Sequence, residues 1–171
     1  MAAQGFLARV AGRTKQLFAT VQSQGAASAG AVVGLGDDGL LHPSVLPAGV
    51  GDNTVTAVAS EALGAGKFIE LYDDAGTLKA RLADAGNARE AHGYVREAVS
   101  LAASATVYRL NTVNASLSGL TPGAHYWLGT AGGLINAPLD PQTDTGQLCQ
   151  YLGRAASATE LVTVEYAPVY L

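Results

Sequence analysis

The chain has 171 residues, a formal net charge of −4, only 14% charged residues, 49% hydrophobic residues and 21 glycines. That length supports one core with an appendage, and the composition is globular and turn-rich. The acidic balance, with no clustered basic face, excludes a nucleic-acid binder. A surface this poor in charge implies that partners cover part of it.

Cys149 is the sole cysteine, so no intramolecular disulfide and no cysteine-rich metal site is expected. No run of eighteen apolar residues is present, and the start lacks the continuous apolar stretch of a secretory signal. The expectation is a protein with no membrane association that is made in the cytoplasm and not exported by the usual routes.

Residues 1–50 differ from the rest. Before Asp37 there are three basic residues, Arg9, Arg13 and Lys15, and no acid, so residues 1–36 carry +3 and the remainder −7 (−4 less +3). The pattern predicts a short helix around Phe6 to Phe18. It is followed by an extended arm in which Val32, Val33, Leu35, Leu40, Leu41, Val45, Leu46 and Val50 stand among glycines, prolines and small residues. A free linker would not expose so many branched apolar side chains, so the arm is expected to order on another surface. About thirty extended residues at ~3.3 Å each would reach on the order of 100 Å.

Within the arm, GLGDDG (Gly34 to Gly39) matches the G-x-G-x-x-G spelling of a dinucleotide-binding loop. That motif needs a helix beginning after it, and here LLHPSVLP follows. Pro43 and Pro47 remove backbone donors and push His42 and Leu46 toward extended geometry, while Asp37 and Asp38 would repel phosphate. The stretch reads as a Gly/Asp turn leading into an extended segment.

From Thr54 the sequence changes to short alternating runs between turn signals, as in an all-β sandwich or barrel. TVTAVAS (54–60) is the first. KFIELY (67–72), DDAG and TLKARLA (77–83) read as a hairpin with Phe68, Glu70 and Tyr72 on one face and Lys67, Ile69 and Leu71 on the other. HGYVREAV, ATVYRL, AHYWLGT, LINAPL, QLCQYLGRA and ELVTVEYAPVYL bring the count to eight to ten strands, and AGNAREAHG offers at most one helical turn. The expected organisation is an N-terminal arm over 1–50 and a compact antiparallel β-sandwich or barrel over 51–171, with the boundary at Gly49 to Asn53. No repeat of fixed period is seen.

Chemistry is sparse. His42, His92 and His125 are far apart, without a second metal ligand at usable spacing. Asp73 and Asp74 are what a hairpin turn requires, no G-x-S-x-G elbow exists, and Cys149 in a strand reads as a small buried hydrophobe. Adjacent Tyr126 and Trp127 point to opposite faces of a strand, so at most one belongs to an aromatic platform for sugar and the other to the core. No enzyme, catalytic residue, metal, cofactor or small-molecule substrate is expected.

The opening, FLARVAGRTKQLFATVQSQGAASAGAVVGLGDDGLLHPSVLPAGVG, resembles the start of tailed-bacteriophage virion proteins, in which a short basic segment leads into a stretch like GDDGLLHPSVLP. ASEALGAGKFIELYDDAGTLKARLADA, AHGYVREAV, SATVYRL, LTPGAHYWLGTAGGL and QYLGRAASATEL resemble the β region of the same group. The resemblance implies a structural role on the virion. Decoration of the outer capsid surface is the first expectation, with the major capsid protein and copies of itself, as a homotrimer, for partners. A tail, baseplate or fibre module engaging the host surface is the alternative. Under the decoration reading the arm contacts the lattice through Phe6, Leu35, Leu40, Leu41, Val45 and Leu46, and Arg9, Arg13 and Lys15 add orientation.

Overall fold

A computed structural model describes residues 5–10, 12–37, 39–46 and 53–171. The chain divides into two units, Met1–Asp52 and Asn53–Leu171. The expected boundary at Gly49 to Asn53 falls largely outside the described residues.

The first unit opens with a hairpin, strand β1 (Gly5–Val10) pairing antiparallel with β2 (Arg13–Phe18). This corrects the helix expected around Phe6 to Phe18. Phe6, Leu7, Val10, Leu17 and Phe18 suit a helical stripe as well as a two-sided strand pair, and Gly12, which takes φ +77° just before Arg13, decides for strands. The remainder is not a bare extended arm. Thr20 pairs with Val33 in a parallel bridge, short 3₁₀ turns cover Gly25–Ser28 and Pro43–Val45, and Ser44 Oγ accepts from the Ser23 amide at 2.9 Å. Around GLGDDG, Gly36 N–H donates to Leu40 O and Gly39 N–H to Gly36 O, and among the described residues up to Leu46 only the short 3₁₀ turn follows.

The second unit is mainly β. Strands β3 (Thr54–Ala59), β4 (Phe68–Asp74), β5 (Thr77–Leu82), β6 (Gly93–Tyr94) and β7 (Ser104–Arg109) close into a barrel in the order β3-β5-β4-β6-β7. All neighbours are antiparallel except β3 and β5, a parallel pair that the hairpin pattern alone does not foresee. A five-stranded barrel has a narrow lumen, and the inward positions are accordingly small: Ala57, Ala59, Ala80 and Ala105 pack with Leu63, Ile69, Val95 and Val107.

Strands β8 (Val113–Asn114), β9 (His125–Leu128), β10 (Leu134–Ile135), β12 (Tyr151–Ala155) and β13 (Leu161–Thr163) form an antiparallel sheet in the order β10-β9-β12-β13-β8. Between β10 and β12, strand β11 (Leu148–Cys149) pairs with the C-terminal β14 (Val169–Tyr170). A second core joins sheet to barrel: Phe68, Tyr94 and Leu110 meet Leu128, Leu148, Leu152 and Leu161. Phe68 and Ile69, adjacent on β4, thus enter different cores, as the alternation predicts. The helical turn expected in AGNAREAHG is a single 3₁₀ turn, Ala85–Asn87, capped by Asp84.

Buried polar side chains are few and fully used. Gln150 Oε1 accepts from the Ala91 amide at 2.8 Å while its Nε2 donates to Ala91 O at 2.9 Å, replacing a missing strand partner. Among the described residues no buried side-chain nitrogen or oxygen lacks a hydrogen-bond partner.

Candidate functional site

In residues 5–46 no described residue is buried, although the segment is rich in large apolar side chains. Leu7 is 76% exposed, Phe18 56% and Leu40 65%, and Val32, Val33, Leu35 and Leu41 are exposed as well. A two-stranded hairpin is at best marginally stable by itself, and here neither the hairpin nor the following turns enclose a core. Contiguous exposed apolar patches in proteins are associated with interaction sites.

The β1–β2 register assigns its two faces. Phe6 stands opposite Leu17 and Ala8 opposite Lys15, so these positions share one side, and Arg13, two residues before Lys15 on β2, shares it too. Leu7 opposite Gln16, Arg9 opposite Thr14 and Gly5 opposite Phe18 share the other. The three basic residues therefore do not form one cluster. Lys15 is the same-face neighbour of the half-buried Phe6–Leu17 pair with Arg13 one position farther along, whereas Arg9 is on the other side, next to the exposed Leu7. Farther along, Leu35, Leu40 and Leu41 are exposed, and Val45 and Leu46 are half-buried around the 3₁₀ turn. His42 Nδ1 lies 2.8 Å from Ser44 Oγ, which fixes that turn. The structure thus places the nine predicted contact residues on a hairpin and a turn.

A second surface lies in the β domain. Tyr126 is 7% exposed and its hydroxyl accepts from the Thr121 amide at 2.9 Å, whereas Trp127 points to the other face, as strand alternation requires. There β9 and β12 bring Trp127 and Tyr151 to a ring separation of 5.4 Å. His125 Nδ1 lies 2.8 Å from the Tyr151 hydroxyl, and Tyr166, 59% exposed, packs 6.0 Å from Tyr151. Burial pushes the Tyr151 phenol above its ordinary value, with Tyr166 adding to the shift and Arg154 opposing it. Sequence reasoning found Trp127 but missed its partners, because His125, Tyr151 and Tyr166 meet only through cross-strand pairing and the C-terminal turn.

The other sequence candidates have structural partners. Asp73 Oδ2 accepts from Gly76 N–H in the β4–β5 turn, and Asp74 pairs with Lys79. His92 Nδ1 accepts from the Leu71 amide at 3.0 Å. Cys149 is only half-buried, which corrects the buried position expected for it, while its neighbours Leu148 and Gln150 are buried.

No protein-family model matches the chain, and no curated protein matches it. Among solved structures, the N base of the head fiber gp8.5 of bacteriophage phi29 is similar over 65% of this chain and 92% of that chain, with 16% identity and a TM-score of 0.43.

Proposed function

We propose that the chain is a non-enzymatic phage virion protein that decorates the outside of the assembled head, with the first unit as its docking element. The observation that carries this reading is the unit's lack of any buried described residue beside eight exposed branched or aromatic side chains. Such side chains gain free energy only when another surface removes them from water, about 1.5–3 kcal/mol for each fully seated leucine or phenylalanine before ordering costs. The major capsid protein is the proposed partner, and the sequence resemblance to phage virion proteins supports that choice.

A ligand that binds the assembled lattice and not its dissociated subunits stabilises it by mass action, about 2.7 kcal/mol per site at a hundredfold excess over Kd. Three copies arranged around a local axis would seat three such units together, which is the proposed homotrimer. The test is cosedimentation with empty phage heads of the full chain and of a chain lacking residues 1–52. Saturable binding by the full chain, lost on deletion, is expected; equal binding by both forms would refute the docking role.

One observation favours a second reading, a tail, baseplate or fibre module engaging the host surface. The Trp127, Tyr151, Tyr166 and His125 group offers apolar ring faces edged by polar tips, which suits the alternating C–H and hydroxyl surface of a sugar. Binding of host cells by the isolated β domain, removed by Trp127→Ala, would favour it over decoration.

A further inference from the structure

A cleft of about 350 Å³ opens where three loops of the β domain meet: Ala65–Lys67, Ser116–Leu120 and Gly132–Leu134. Its walls are tied together from below. The buried Asn114 donates from Nδ2 to Gly66 O at 3.0 Å and accepts from the Ser116 amide at Oδ1 at 3.1 Å, so one side chain locks the first loop to the second. Gly66 has φ +74°, and a Cβ there would stand 2.3 Å from Ser116 O, so the close approach that shapes this wall requires glycine.

The cleft is rich in donors and has no acid. Lys67 is its one charged residue, and its ammonium lies 3.9 Å from where a Cβ on Gly133 would stand, beside the third wall. Among the described residues no group accepts a hydrogen bond from the Lys67 ammonium, from the hydroxyls of Ser116 and Ser118, or from the amides of Ser118 and Gly119. A single cation surrounded by neutral donors and lacking a carboxylate of its own is complementary to a monoanion. A phosphate dianion would remain half-compensated. We propose that this cleft binds a carboxylate, carried either by a small organic acid or by an aspartate or glutamate of a second protein chain. The inference does not depend on the docking role of the first unit.

The experiment is a titration of the full-length, isotope-labelled protein with acetate, with acetyl-Ala-Glu-Ala-amide and with inorganic phosphate, followed by amide NMR. Saturable shifts at Gly66, Ser118, Gly119 and Gly133 are expected with the two carboxylates. Lys67→Met should weaken them by about tenfold or more, the loss of one charge-assisted hydrogen bond, and Lys67→Arg should retain them. Ser118→Ala, at an exposed loop position, serves as a second variant whose fold is not in question and should weaken binding less. Tighter binding of the peptide than of acetate assigns the carboxylate to a protein chain, and the reverse order to a free acid. Shifts that are absent, or equal in Lys67→Met and the parent, overturn the proposal, as does phosphate binding at least as tight as acetate.

Discussion

Gly66 and Gly76 both adopt positive φ, yet they answer different needs. Gly76, at φ +83° in the two-residue β4–β5 turn, has open space where a Cβ would go, so Gly76→Ala costs only the left-handed backbone, about 1–2 kcal/mol. Gly66→Ala adds a clash with a backbone carbonyl that cannot swing away, and a loss of about 3 kcal/mol or more is expected. Denaturant midpoints of the two variants check this order. Gln150→Leu keeps the volume but leaves the Ala91 N–H and C=O unpaired in a dry core, and should cost roughly 2–4 kcal/mol in the same assay. The chain's sequence announced Gly76 through its DDAG setting. It did not announce Gln150, because a polar residue between Cys149 and Tyr151 looks like an ordinary outward strand position until a distant loop supplies its partner.

At the scale of elements, strands with a local turn signal were legible and those defined by distant pairing were not. The β4–β5 hairpin, both faces of β4 and the opposite fates of Tyr126 and Trp127 follow from alternation and turn chemistry. The β1–β2 hairpin was obscured because its apolar spacing suits two periods. The parallel β3–β5 contact was invisible because nothing local encodes which strands close a barrel. The aromatic group on β9 and β12 makes a titration prediction. The Tyr151 phenol is held above the usual value of about 10, chiefly by burial, so the unfolded chain releases this proton first as pH rises. Stability should therefore fall as pH climbs from the unfolded value through the folded one. Tyr151→Phe should flatten that alkaline slope and remove one late-titrating phenol from the ultraviolet titration.

For the whole molecule, every buried residue among those described belongs to Asn53–Leu171, so removing residues 1–52 should leave the thermal midpoint of the β domain within about 2 °C of its value in the full chain. Calorimetry checks it, and a much larger drop would mean that the first unit supports the domain fold. The split into two units was partly readable: the shift from arm-like to strand-like sequence and the missing acids before Asp37 marked it. The hairpin within the arm, and the separation of Arg9 from Arg13 and Lys15, were not readable because both depend on register.

The barrel closes on itself and leaves no strand in its ring unpaired, whereas the β1–β2 ribbon, as a two-stranded sheet, has an outer edge on each side. An edge beside exposed Leu7 and Phe18 is a template for adding further strands from any chain that meets it. The chain's shelf life in concentrated solution should then depend on these few residues more than on the β domain. Arg9, Arg13 and Lys15 become the gatekeepers that keep like ribbons apart, and replacing them with neutral residues should bring on fibrous precipitation at concentrations the parent tolerates, read by light scattering and thioflavin fluorescence.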